Sequence, residues 1–327
     1  MTTHTVTFDS CGTTCEAWHL PAAHDGLATA AGRPIVVMAH GLAGTKDSGL
    51  LPFAQGFASA GLDAFVFDYR GFGASSGTPR QVVSLSAQLD DYRAAMQAAA
   101  ALPGVDPDRL VLWGISLAGG HVLSAGAGRE DVAAVVAAVP LVDGLAAGWH
   151  ALESHSVRQI LRSTALGMRS RAARLSGRGQ RMMPVVGRPG EVGALTLPGA
   201  YEDYHAIAGP TWRNEIAADV SLELGTRQPL KRAGDLLCPT LVQIADFDRS
   251  APPQASAKAA FRARAEVRHY PCDHFDLFPG KPWHDAAVTH AAAFLTRHLS
   301  APPMVEEVAQ QPSRNPTTVA PGRTARV

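Results

Sequence analysis

Residues Leu110-Val111-Leu112-Trp113-Gly114-Ile115-Ser116-Leu117-Ala118-Gly119-Gly120-His121 constrain the fold more than any other stretch of this chain. An unbroken apolar run leads into Gly-x-Ser and then into small residues. That order describes a buried strand that turns sharply into a helix, with the serine at the turn. Gly114 and the small residues Ala118 and Gly119 let the two backbones come close together. The Ser116 hydroxyl is then raised at the C-terminal edge of a sheet and at a helix N-terminus, a place that favours developing negative charge.

The rest of the chain supplies such a sheet. Short apolar, β-branched runs predict strands at Thr5–Phe8, Glu16–Leu20, Pro34–His40, Ala64–Tyr69, Arg109–Gly114, Val132–Val139, Thr240–Ala245 and Glu266–Tyr270. Ile35-Val36-Val37-Met38 is apolar on both faces, as expected of a parallel strand covered on both sides. Helical segments alternate with the strands, among them Leu50–Ala60, Leu85–Leu102 and a last one carrying Val288, Ala291, Phe294, Leu295 and Leu299. The fold class expected is α/β: a doubly wound, mostly parallel eight-stranded sheet.

The alternation stops in one long stretch. Residues 1–142 and 236–299 form the predicted core, and 143–235 an insertion that is helical and Arg-rich. Residues 300–327, Pro-rich and without an aromatic residue, read as a disordered tail. An insertion over the C-terminal edge of the sheet is expected to act as a cap or lid. Arg158, Arg162, Arg169, Arg171, Arg174, Arg178, Arg181 and Arg188 fall where no acid occurs. Val157, Ile160, Leu161, Ala165, Met168, Ala172 and Leu175 recur at near-helical spacing, predicting an amphipathic helix with a basic outer face. Such a face is a solvated surface, or attracts an anionic substrate or carrier. Tyr201, Tyr204 and Trp212 either line a pocket or pack the insertion on the sheet.

Composition excludes several classes. Lys+Arg and Asp+Glu are 29 each, so the net charge is zero and nucleic acid is not the expected partner. No apolar run reaches the ~18–20 residues of a membrane span, and Met1–Ser10 lacks the features of a secretory signal, so a cytoplasmic protein without a membrane partner is expected. Cys11, Cys15, Cys238 and Cys272 are too few for a disulfide scaffold and read as small buried or half-buried thiols. The 13 histidines are scattered, with no zinc spacing, so no metal site is expected, and the chemistry read below calls for no cofactor.

Three further pieces complete a chemistry for Ser116. His40-Gly41-Leu42-Ala43-Gly44 follows a predicted strand, and its Leu42 N–H, with that of Leu117, provides two donors for a tetrahedral oxyanion. His40 itself reads as a packing residue. His274, on the loop after the last strand, is the candidate general base; His269 lies inside that strand, and His284, His290 and His298 lie on the last helix. Asp248, on the loop after Thr240–Ala245, is the candidate acid that orients the base, with Asp246 and Asp143 as alternatives.

In the order Ser116, Asp248, His274, these residues resemble the α/β-hydrolase superfamily. Phe67-Asp68-Tyr69-Arg70-Gly71-Phe72-Gly73-Ala74-Ser75 is similar to the Asp-x-Arg-Gly-x-Gly-x-Ser turn of many members. One departure is Ala118, where the superfamily's elbow usually has glycine. Trp113–Ser116 with Gly119-Gly120-His121, Trp212-Arg213-Asn214-Glu215 and His274-Phe275-Asp276 resemble an esterase-like, dienelactone-hydrolase-like and polyketide-transferase-like subgroup. The resemblance implies the α/β-hydrolase fold and a Ser116, Asp248, His274 triad, and says little of substrate. The expected function is hydrolysis of a small-molecule carboxylic ester or thioester. Acyl transfer by the same triad and non-catalytic ligand binding are the alternatives, and a homodimer is compatible with the sequence.

Overall fold

A computed structural model of the chain describes residues 2–154, 156–225 and 227–300. Ten strands occur among the described residues: β1 (His4–Ser10), β2 (Thr13–Leu20), β3 (Arg33–Ala39), β4 (Asp63–Phe67), β5 (Val105–Ile115), β6 (Val132–Ala138), β7 (Met182–Met183), β8 (Ile216–Ala217), β9 (Thr240–Ala245) and β10 (Glu266–Tyr270). Eight of them make one sheet in the order β1-β2-β4-β3-β5-β6-β9-β10. The hairpin β1–β2 and the β2–β4 pair are antiparallel, and every other pair is parallel. This is the α/β-hydrolase arrangement.

The helices are α1 (Leu51–Ser59), α2 (Leu85–Ala100), α3 (Leu117–Ala125), α4 (Gly144–Ser154), α5 (Val157–Leu175), α6 (Ala200–Ile207), α7 (Val220–Leu224), α8 (Pro253–Ala263) and α9 (His284–Leu299). α1 and α9 pack together on one side of the sheet; α2 and α3 pack together on the sheet as a second pair. The central strands are buried on both faces, which is why β3, β4, β6 and β9 read as continuous apolar runs. Trp113 of β5 is fully buried beneath Phe53, with ring centroids 4.8 Å apart. The Tyr92 hydroxyl lies 2.8 Å from the Val37 and Trp113 carbonyl oxygens, tying α2 to β3 and β5 just below the elbow.

β5 begins earlier than the predicted Arg109. Its first residues are interrupted by Asp106, Pro107 and Asp108, and its register shifts between Leu110 and Val111. Cys15 and Cys272 are buried and Cys238 half-buried, but Cys11 is exposed, because it stands in the β1–β2 turn with φ 51°. All four are free thiols. The predicted tail beyond Ser300 lies outside the described residues.

Between β6 and β9 the chain forms α4 to α7 and the short β7–β8 pair. α5 is the Arg-rich helix the spacing predicts, but its apolar stripe does not face the protein: Leu161 is 65% and Leu175 75% exposed, and Val157 and Met168 are exposed too. The buried positions are instead Gly167 and Ser170. A Cβ at Gly167 would come within 3.0 Å of the Ala218 carbonyl oxygen, and Ser170 Oγ accepts the Arg181 N–H at 3.0 Å. Close backbone approach at small residues decided which face packs. Among the described residues, no helix is long and apolar enough to cross a membrane.

Candidate active site

β5 ends on Ile115 and α3 starts on Leu117, so Ser116 makes the whole turn. Its φ of 58° and ψ of −119° are unfavourable for a residue with a side chain, at a cost of roughly 1–3 kcal/mol. Neighbouring backbone holds it there. The Ser116 N–H donates to the Ala138 carbonyl, and its carbonyl accepts the Leu141 N–H, both at 2.9 Å. Gly114 is required by space: a Cβ there would lie 2.2 Å from the Ala118 carbonyl oxygen. Ala118, at the position usually occupied by glycine, is fully buried in α3.

The Ser116 hydroxyl stands 3.0 Å from Nε2 of His274, and Nδ1 of His274 stands 2.7 Å from Oδ2 of Asp248. A carboxylate can only accept, so Nδ1 carries the proton and Nε2 is left to accept from Ser116. The other Asp248 oxygen, Oδ1, accepts the N–H groups of Ser250 and Ala251, each at 2.7 Å. Nε2 of His150, on α4, donates to the Asp248 carbonyl at 3.1 Å. Burial alone would push the His274 imidazole down; the charge and hydrogen bond of Asp248 outweigh it and hold the group above its ordinary 6.5.

The other candidates lie elsewhere. Asp246 pairs with His269 on the outside of the sheet at 2.6 Å. Asp143 caps α4, accepting from Leu145 and Ala146. His284 contacts the Leu277 carbonyl, and His290 the Tyr270 hydroxyl. His298 is at the far end of α9. His40 packs as expected, stacked on Phe278 at 5.6 Å, and burial pushes it down to about 4.

Leu42 and Leu117 lie beside Ser116 and His274 in the wall of one cavity of about 280 Å³. Neither the Leu42 nor the Leu117 backbone N–H has an acceptor among the described residues. Position 41 stands directly against Ser116: a Cβ there would be 2.8 Å from the Ser116 Cβ. The loop is anchored at its far end by Lys46, whose ammonium is buried against Asp68 at 2.7 Å and Glu16 at 2.9 Å. Asp68 also accepts the Lys46 N–H at 2.6 Å and the Ala74 N–H at 2.9 Å. The Asp-x-Arg-Gly turn thus has a definite local role: it fixes the loop that carries Leu42.

The remaining wall comes largely from the segment between β6 and β9. Gly144, Ala147, Gly148 and Ala151 present small side chains from α4, and Leu195, Leu197 and Leu224 add apolar surface. Arg249 lies at the edge, its guanidinium bound to Asp273. Tyr201, Tyr204 and Trp212 do not line this cavity. They pack: Tyr204 stacks on Trp212 with centroids 4.9 Å apart, and the Arg188 guanidinium covers Tyr201 at 4.3 Å. Among the described residues, no cluster of three or more His, Cys, Asp or Glu side chains could hold a metal ion.

Sequence reasoning missed the contacts of His150 and Tyr204. A histidine on α4 and a tyrosine on α6 carry no local signal of what they reach across the fold.

The sequence pattern of the family described as serine aminopeptidase, S33, matches residues 30–274. The quorum-quenching protein AidA of Acinetobacter baumannii (strain MDR-ZJ06) is 32% identical over 298 residues, spanning 89% of this chain and 94% of its own length. Polyketide transferase grgF of Penicillium sp is 30% identical over 181 residues, 55% of this chain and 56% of its own. The crystal structure of α/β hydrolase GrgF from Penicillium sp. sh18 superposes with a TM-score of 0.75 at 23% identity, over 92% of this chain and all of that one.

Proposed function

The chain belongs to the serine aminopeptidase S33 family of α/β-hydrolases, and from that premise we propose that it cleaves a small-molecule carboxylic ester or thioester through an acyl-enzyme intermediate. The observation that carries this reading is the series Ser116, His274, Asp248 beside two backbone N–H groups without acceptors among the described residues.

Ser116 Oγ attacks the acyl carbon while His274 Nε2 takes its proton. Asp248 keeps the proton on Nδ1 and balances the imidazolium that forms. The carbonyl oxygen becomes an oxyanion held by the Leu42 and Leu117 N–H groups, whose dipoles are fixed before the reaction begins. His274 then gives its proton to the departing oxygen or sulfur. A water molecule deprotonated by the same imidazole releases the acid and restores Ser116.

The cavity favours esters over the peptide N-termini that the family's description names. An aminopeptidase has to hold a protonated α-amine, and no carboxylate is among the described residues lining this cavity. Its small and apolar wall suits an acyl chain. In this reading residues 143–235 act as a cap, with α4 as the roof over Ser116. The name of one relative, a polyketide transferase, is in keeping with an acyl compound as substrate.

Acyl transfer is the second reading, favoured by the near-complete burial of His274 beneath that roof, which limits the access of water. A panel of p-nitrophenyl esters and acyl thioesters of graded chain length tests the proposal. Turnover by the native protein, falling by about 10⁴-fold or more in Ser116→Ala, is expected. A fall of less than tenfold would mean another nucleophile.

A further inference from the structure

Resting on that reading, we propose that Tyr204 is a positioning residue for the oxyanion site, holding the Leu42 loop in its donating conformation from the insertion. The Tyr204 hydroxyl donates to the Leu42 carbonyl at 2.7 Å, and the side chain is buried. Leu42 therefore has its carbonyl bound to α6 and its N–H left without an acceptor among the described residues at the cavity wall. The next residue, Ala43, has φ 54°, in the left-handed region that a residue with a side chain adopts at a cost. A bond to the preceding carbonyl is a direct way to keep that turn from relaxing. Relaxation would rotate the Leu42 peptides and withdraw the donor.

The surroundings give the hydroxyl a fixed location. The Tyr204 ring stacks on Trp212 and meets Phe275, next to His274, at 5.8 Å. Two further bonds join the same stretch of the insertion to the loop: Gly209 N–H to Ser48 Oγ at 3.3 Å and Thr211 N–H to Asp47 Oδ2 at 2.9 Å. Burial raises the Tyr204 phenol, so it stays protonated and remains a donor. The Trp212-Arg213-Asn214-Glu215 segment fits the same role. Asn214 binds both the N–H and the carbonyl of Val186, which fixes the stretch that carries Trp212.

The test compares the wild type with Tyr204→Phe, which keeps the stacked ring and removes the donor, and with Trp212→Ala, which keeps the donor and removes its support. A fluorophosphonate probe reads the rate of Ser116 labelling without knowledge of the natural substrate, and p-nitrophenyl butyrate gives kcat and KM. Complete loss of an oxyanion donor costs on the order of 10²–10³ in kcat, so a weakened one is expected to cost about ten- to hundredfold in both labelling rate and kcat. KM is expected to change by less than about threefold, because the donor matters chiefly in the transition state. Adding Ala43→Gly to Tyr204→Phe, which lets the turn form without strain, is expected to recover most of the lost rate. A merely structural loss would lower the thermal midpoint without that rescue. Labelling and kcat within twofold of wild type in both single variants would overturn the proposal while leaving the hydrolase reading intact. A wild-type protein that neither labels nor turns over would overturn the hydrolase reading, and this proposal with it.

Discussion

Asp248 and His274 come from the loops that follow two adjacent parallel strands, β9 and β10, and their side chains meet at 2.7 Å. The strand pairing brings the loops together, and the bonds from Ser250 and Ala251 set which oxygen of Asp248 is left for the imidazole. Asp248→Asn replaces that acceptor with an amide and disturbs the tautomer. A fall in kcat/KM on the order of 10⁴ at pH 7 is expected. Asp246→Asn, whose carboxylate serves His269, is expected to leave kcat/KM within about twofold, inside the small range of surface changes.

The pH profile follows from the same pair. In the proposed mechanism His274 acts as a base when neutral, and Asp248 raises its pKa, so kcat/KM is expected to decline on the acid side with an apparent pKa above 6.5. In Asp248→Asn burial is opposed only by the smaller effect of the Asp273 charge. The acid limb of the residual activity is then expected to move to lower pH. A wild-type limb centred well below 6.5 would show that another group controls the rate.

Lys46 and Asp68 give a stability prediction at the base of the Leu42 loop. Both side chains are almost completely buried, and the Asp68 carboxylate also accepts two backbone N–H groups. Asp68→Ala leaves the ammonium with Glu16 and the face of the Trp18 ring. The expected loss is about 3–5 kcal/mol, measured as a shift of the urea unfolding midpoint. A loss under 1 kcal/mol would show that Glu16 and Trp18 suffice.

Gly114→Ala tests the elbow itself. The added methyl group meets the Ala118 carbonyl oxygen at 2.2 Å, and neither backbone is free to give way, since one is a central strand and the other the start of α3. A destabilisation of about 1–3 kcal/mol is expected, with loss of Ser116 labelling beyond what unfolding explains. Normal labelling would mean that the turn tolerates a wider approach.

Much of this was legible in the chain because parallel strands buried on both faces leave an unmistakable record, as in Ile35–Met38 or Val132–Ala138. Ser116 and His274 were legible because a tight turn and a loop after a late strand limit where they can go. The choice between Asp246 and Asp248 was harder: both stand on one loop, and only the direction of the side chain separates them. Periodicity predicted α5 as a helix, yet gave the wrong buried face, since packing there rests on Gly167 and Ser170 rather than on the apolar stripe. Tyr204 was undecided between pocket and packing because tyrosine serves both, and its bond to Leu42 spans far more sequence than any local pattern reports.

Trapping the covalent intermediate tests the account at its centre. Native protein mixed with a p-nitrophenyl ester and quenched in acid within the first turnover should carry the acyl group on the peptide containing Ser116, seen by mass spectrometry, and Ser116→Ala should carry none. Turnover of the ester with Ser116 unmodified at every quench time, or an equal adduct in the alanine variant, would contradict it.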